Sequence, residues 1–337
     1  MGTVSVLMSC VLGAGFVSGQ EIYLFFGRFG ALGIVGLFLS VLLLAFFFYL
    51  LLRCVAKDPQ TSPCVPTGSR AFSGFVKGIE LSFLFVVWLI MAAGVGALFA
   101  TLFDSLLFRV LGGLFFTALV CALVLSGTAQ IIRYFSFVTP LLVLLAIGIS
   151  LFAIFNGELA FSGEPSILFL PNALSYLSYN FLGAIGMFTA FGMRMRERRT
   201  AGFGAVLGGL LLFLTAGAIL LALFANPAAR EAELPMLAVA QGVHPVLYYG
   251  YAVLLLVAML GAALSVASPL FEELSALCRI RNRRVPFAIL LSLAVFCLSL
   301  FGFADLVGTL YPIYGYIGFL FLAFLLYHFF HMKKRKK

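Results

Sequence analysis

Residues 13–21 read Gly13-Ala14-Gly15-Phe16-Val17-Ser18-Gly19-Gln20-Glu21, inside an apolar run that extends over residues 2–26. Each glycine costs about 1 kcal/mol relative to alanine in a helix interior. Three glycines in so short a stretch, followed by a carboxylate, are therefore poor material for a continuous helix. At about 1.5 Å per residue the glycines fall about 15–25 Å into the run, near the middle of a bilayer. Unwound backbone at that depth is tolerated only where it faces protein or a wet cavity. The stretch predicts a membrane-embedded helix broken at its centre. The run is not a signal peptide, because it has no basic opening segment and carries Gln20 and Glu21.

The remainder of the chain agrees. Of 337 residues 64% are hydrophobic and only 10% charged, and the mean hydropathy is +1.18. A soluble domain carries about a quarter charged residues, so the fold class is all-α integral membrane. A soluble enzyme, a nucleic-acid binder and a secreted disulfide scaffold are excluded. The six cysteines, Cys10, Cys54, Cys64, Cys121, Cys278 and Cys297, show no metal or redox spacing. Crossing the hydrocarbon core takes about 20 apolar residues. Runs of that kind mark ten transmembrane helices, over 2–26, 31–53, 73–102, 107–126, 134–155, 171–193, 202–225, 246–271, 286–304 and 306–330.

With the N-terminus cytoplasmic, all but Arg28, Arg109 and Arg230 of the 21 Lys and Arg residues face the cytoplasm, as the positive-inside bias requires. The net charge of +9 is thus a topology signal and calls for no nucleic-acid partner. The expected location is the bacterial cytoplasmic membrane, with both termini inside and the lipid bilayer as surroundings. Nothing in the sequence sets an oligomeric state.

The sixth span holds a second interruption, Ser175-Tyr176-Leu177-Ser178-Tyr179-Asn180-Phe181-Leu182-Gly183-Ala184-Ile185-Gly186. It lies half a chain from the first, and the odd number of spans between their starts inverts the second copy. Residues 1–155 and 156–337 then form two five-helix repeats of one membrane domain. Paired interrupted helices in inverted halves point to a secondary transporter's binding site, where half-helix ends offer N–H groups to an anion and C=O groups to a cation.

The segment at residues 13–21, and more weakly Ser178-Tyr179-Asn180, resembles the signature of the YkvI-like family of bacterial membrane proteins, themselves similar to the LeuT-fold amino acid/polyamine/organocation transporters. The resemblance implies a five-plus-five inverted repeat with helices 1 and 6 broken. It also implies a substrate held between spans 1, 3, 6, 8 and 10, and alternating access by rocking of spans 1, 2, 6 and 7. A sodium-coupled relative would place hydroxyls of the eighth span against the first break. Here that span offers Ser265 and Ser268, so a sodium ion near Gly13 and Ser265 depends on their height. The sequence also implies that no gate is built on an N-terminal Arg or Lys.

The substrate-binding candidates are Gly13, Ala14, Gly15, Ser18, Gly19, Gln20, Trp88, Tyr176, Ser178, Tyr179, Asn180 and Gly183, with Gly94 and Gly96 as further pocket positions. An amide such as Asn180 beside a glycine at mid-membrane supplies both donor and acceptor. Glu21 has two readings. Ser18 and Glu21 fit a capping box, and an acid inside a transmembrane segment is also a functional group by default. Glu80 is either the partner of Lys77 or a coupling carboxylate. Glu272 and Glu273 are either interfacial partners of the arginine-rich loop or an inner gate, and Arg28 and Asp305 are an outer gate or two loop charges. His244, His328 and His331 belong to interfaces, and no metal site, catalytic constellation or nucleotide phosphate loop is present.

These features describe a secondary active transporter, not an enzyme. The expected substrate is a small organic solute, an amino acid or related amine, in symport with an inward proton or sodium gradient and without any other cofactor. A ligand-sensing receptor subunit with the transporter fold and an uncoupled facilitator are the competing readings.

Overall fold

The computed structural model describes residues 14–55, 70–127, 132–161, 163–192, 198–278 and 283–334. These residues form twelve α-helices: α1 (Ala14–Val17), α2 (Gln20–Phe25), α3 (Ala31–Val55), α4 (Arg70–Phe103), α5 (Leu106–Leu125), α6 (Ile132–Asn156), α7 (Phe169–Gly192), α8 (Arg198–Ala225), α9 (Pro235–Val243), α10 (Pro245–Leu277), α11 (Arg284–Ser299) and α12 (Phe303–Lys334). Among the described residues, helix falls within every interval that hydropathy marks. Six helices, α3, α4, α5, α8, α10 and α12, are long and apolar enough to cross a membrane. Their outward faces and those of α6 carry exposed Leu144, Phe155, Phe203 and Tyr327, a surface suited to lipid. Within the bundle α4 is the central element, 72% of its apolar window being buried against 33% for α5 and α12.

The ends of the helices are set by ordinary local chemistry. Ser105 caps α5 by accepting from the Leu107 N–H at 3.3 Å. Pro235 and Pro245 open α9 and α10, positions where a missing N–H costs nothing. The buried Arg230 closes the C-terminus of α8, its Nε donating to Leu223 O at 2.7 Å and its Nη2 to Phe224 O and to Ala160 O of the segment between α6 and α7. A cation there meets the negative end of the helix dipole.

The first predicted span is broken. α1 ends at Val17 and α2 begins at Gln20, with Gly19 between them at φ +83°. A side chain is rarely accommodated at that backbone angle. The sixth is not broken: α7 runs without interruption from Phe169 to Gly192, which corrects the expectation of paired breaks. Two of the polar residues of α7 find partners without opening its backbone ladder. Asn180 Nδ2 donates to Tyr176 O, one turn back, at 2.9 Å, and Ser175 Oγ donates to Pro312 O at 3.3 Å.

Glycine supplies close approach in this part of the fold. α7 packs between α3 and α12. A Cβ on Gly315 of α12 would overlap Ser175 Oγ, and one on Gly318 would lie 2.6 Å from Ser178 Oγ and 2.7 Å from its carbonyl oxygen. On the other side Ser40 Oγ of α3 reaches Ala173 O at 2.8 Å. Gly315→Leu is expected to force α7 and α12 apart and to lower the melting temperature by several degrees, since overpacking costs about 1–3 kcal/mol. Gly148→Ala, on a face with nothing within 4 Å, should leave the melting temperature unchanged or raise it. Equal melting temperatures for wild type and Gly315→Leu would contradict the close packing.

Candidate functional site

The break between α1 and α2 leaves carbonyl groups that a continuous helix would have used. Each is taken by the protein itself. Ser18 Oγ donates to Gly15 O at 2.7 Å, and the Gly19 N–H donates to Phe16 O at 3.1 Å. The Tyr251 hydroxyl of α10 donates to Val17 O at 2.5 Å. The Met236 N–H, in the first turn of α9, donates to Ser18 O at 2.9 Å, and Gly19 O accepts from the Tyr23 N–H at 3.0 Å. In this conformation each carbonyl oxygen of residues 15–19 accepts a hydrogen bond from the protein. The backbone of residues 178–183 lies inside an intact helix. Of the two segments expected to be unwound, only residues 15–19 are, and the break at residues 178–183 is corrected.

The centre of the candidate site is Glu21. The residue is 4% exposed, and the Tyr179 hydroxyl donates to its Oε2 at 2.5 Å. Its other oxygen lies against Gly15, where any Cβ would overlap it, so this glycine serves as the notch that admits the carboxylate. The capping box does not form as the spacing suggests. Gly19 is the N-cap of α2, Ser18 Oγ accepts from the Gln20 N–H at 3.3 Å, and the Glu21 side chain turns instead towards α7. Among the described residues no basic side chain bonds it.

Aromatic rings enclose this carboxylate. Tyr179 stacks on Tyr311 of α12 with centroids 4.6 Å apart and planes 10° apart. Tyr176 meets Tyr179 edge-on at 5.5 Å, and Phe25 and Phe26 edge-on at 5.4 and 4.9 Å. Several buried polar atoms of the predicted set make no hydrogen bond of ordinary geometry: Gln20 Oε1, Trp88 Nε1, the Tyr176 hydroxyl and Ser178 Oγ. Buried polar groups ordinarily have partners, which sets these four atoms apart from the other candidates.

Other candidates fall elsewhere. Gly13 lies outside the described residues, and Ala14 opens α1. Asn180 spends its Nδ2 on its own helix. Gly183 lies under the Phe83 ring, Gly94 faces Met259 and Phe303, and Gly96 faces the Arg109 backbone, so all three serve packing. Ser265 is exposed and donates to Ala262 O at 2.7 Å. With Tyr251 at the height of Val17, Ser265 lies about 21 Å further along α10 and Ser268 a turn beyond that, so neither is brought to the break. Among the described residues no three His, Cys, Asp or Glu side chains are grouped as metal ligands.

The gate candidates also resolve into other pairs. Arg28 Nη2 donates to Asn172 Oδ1 at 2.6 Å, and among the described residues no ion pair joins it to Asp305. Arg109 pairs with Glu233, a two-toothed contact at 3.0 and 2.7 Å, and Asp305 lies beside it across Gly302. Near the start of α4 Lys77 joins Glu80 at 3.4 Å and Glu273 at 3.1 Å, and Arg284 joins Glu272. These bonds tie α4, α10 and α11 to one another, which makes Glu272 and Glu273 struts between neighbouring helices. Tyr311 and Tyr251 escaped the sequence reading, because a chain with 12 Tyr and 39 Phe gives no local reason to single out one ring.

No family model matches the chain. It is 25% identical over 340 residues to the uncharacterized membrane protein YkvI of Bacillus subtilis (strain 168), covering 95% of this chain and 93% of YkvI. It is 22% identical over 335 residues to the uncharacterized protein YyaD of the same organism, covering 96% and 95%. Among solved structures it superposes on MhsT in complex with L-phenylalanine with a TM-score of 0.69 at 14% identity, covering 96% of this chain and 87% of MhsT. It also superposes on Mhp1, a nucleobase-cation-symport-1 family transporter in a closed conformation with bromovinylhydantoin bound. There the TM-score is 0.54 at 13% identity, covering 93% and 74%. Both of these neighbours are LeuT-fold transporters and not enzymes. The chain is therefore a membrane protein that resembles YkvI over nearly its whole length and is built on the LeuT fold.

Proposed function

We propose that this chain is a secondary active transporter of a small organic solute with an amine, an amino acid or related compound, driven by a proton gradient. In this reading ten spans form two inverted repeats, residues 1–155 and 156–337, in a bacterial cytoplasmic membrane with both termini cytoplasmic. Access alternates as spans 1, 2, 6 and 7 rock against the others. The small organic molecules bound by MhsT and Mhp1 support a solute of similar size.

The observation that carries the proposal is the burial of Glu21, a carboxyl group inside the membrane bonded to a tyrosine and to no described cation. A charge in that setting is costly and marks an ion or substrate pathway. The proton is favoured over sodium by what faces the break. Residues 252–264 of α10 contain no hydroxyl, and the oxygens of residues 15–19 are already engaged by protein donors. A sodium ion needs several oxygen ligands, whereas a proton needs one.

In proteoliposomes, an imposed pH gradient should drive the solute against its own gradient, while a sodium gradient at constant pH should leave it at equilibrium. Accumulation that follows sodium would refute the proton assignment. Glu21→Gln keeps the side chain's size and removes its charge. The variant should fold as wild type and lose gradient-driven accumulation, and normal accumulation would reduce Glu21 to a structural residue. Tyr179→Phe removes a hydrogen bond to a charged group, worth about 1.5–3 kcal/mol, and should weaken solute affinity about tenfold or more in a binding titration.

A further inference from the structure

We propose that Arg109 is a two-position latch: paired with Glu233 it holds the start of α9 on the break in the first helix, and passing to Asp305 it lets α9 lift. The inference goes beyond the transporter reading and rests on it only for the use that such an opening would have. The chain of contacts is short. Arg109 stands in the first turn of α5, its carbonyl oxygen and Cγ 3.0 and 3.4 Å from where a Cβ of Gly96 would lie. Gly96 belongs to α4, the central helix, so the arginine is a fixed post. Its two Nη atoms donate to the Glu233 carboxylate at 3.0 and 2.7 Å. Three residues further on, the Met236 N–H donates to Ser18 O at 2.9 Å. A Cβ on Gly19 would lie 2.9 Å from Met236 Cγ and 3.5 Å from Pro235 Cβ, so this turn sits directly on the break. The link between is stiff, because Pro235 has a fixed φ and restricts the buried Leu234 before it. A displacement of Glu233 is therefore felt at Ser18 and Gly19.

The pairing in this conformation leaves two groups wanting. Arg109 Nε is buried and makes no hydrogen bond, so Glu233 satisfies only part of the guanidinium. Asp305, in the first turn of α12, makes no ion pair among the described residues. A carboxylate there is supported by the N-terminal end of its own helix and can stand unpaired while Glu233 holds the arginine.

Changing partners requires no movement of α5 or α12. Glu233 Oε1, Arg109 Nη1 and Asp305 Oδ2 lie 3.4, 3.6 and 3.6 Å from the point where Gly302 would carry a Cβ. Both acids are within reach of the same long side chain, whose rotamer changes are fast. Gly302, at φ +99°, keeps the space between them empty. One positive charge is shared between two negative ones, so one acid is always left over, and whichever holds the arginine decides whether α9 is tied down. The Arg109 and Glu233 side chains are 25% and 29% exposed, so water can take up the acid that is released.

Amide hydrogen exchange of the full-length protein, read by mass spectrometry, follows the Met236 N–H and the rest of the first turn of α9 without any ligand. Glu233→Gln releases Arg109 to Asp305 and should speed exchange there about tenfold, the worth of a hydrogen bond to a charged group. Asp305→Asn removes the alternative partner and should slow the same exchange severalfold. Added to Glu233→Gln, it should bring the rate back towards wild type, while exchange in α3 stays the same throughout. An ion pair that merely braces the fold would give faster exchange for Glu233→Gln and no effect of Asp305→Asn in that background. Unchanged exchange in either single variant, faster exchange in both, or a double variant as fast as Glu233→Gln would overturn the proposal. If Glu233→Gln fails to fold, the slowing in Asp305→Asn decides alone. Opposite shifts in a protein that moves no solute in proteoliposomes would leave the latch standing and sink the transporter reading. Transport without those shifts would do the reverse.

Discussion

A carboxylate inside a membrane bundle with no protein cation beside it is the constraint on which this structure turns. Glu21 is accommodated only because Gly15 withdraws its side chain from the space the carboxyl group fills and because the Tyr179 hydroxyl caps one of its oxygens. Removing a charge from water without a partner is expensive. Glu21 lies one turn beyond the break in the first helix, so the break and the buried acid belong to one local arrangement.

The break itself is sealed. Tyr251 from α10 and the first turn of α9 hold the two carbonyls that the broken helix leaves free. The short helix α9 is held in turn by the Arg109–Glu233 pair just upstream of it. The Glu164 N–H donates to Arg28 O from the other outer loop. The first span is thus strapped from two sides beyond the break. Glycine and serine face one another along α7 and α12, and this seam fixes the height at which Tyr179 and Tyr311 stack.

The sequence made the fold class, the helix positions and the first break legible, because each depends on local properties. Apolar run length marks helices, and three glycines ahead of an acid mark the kink. It misled at the sixth span. Ser175, Ser178, Asn180 and Gly183 look like the ingredients of a break, yet a serine or asparagine in a helix can bond backwards to its own carbonyls, and glycine there answers an approaching neighbour. Which of these applies is decided by α12 and Phe83, elements distant in sequence. The same distance hid Tyr311 and Tyr251, and it hid the pairing of Arg109 with Glu233 in place of Arg28 with Asp305. Glu21 and Tyr179, singled out separately from sequence, meet in one bond.

The most direct test of the central claim is the protonation state of Glu21 itself, read by difference infrared spectroscopy on the full-length protein as the pH is lowered. The account predicts a protonated carboxyl band that grows as the pH falls and is missing in Glu21→Gln. A wild-type spectrum indistinguishable from that of Glu21→Gln would contradict it.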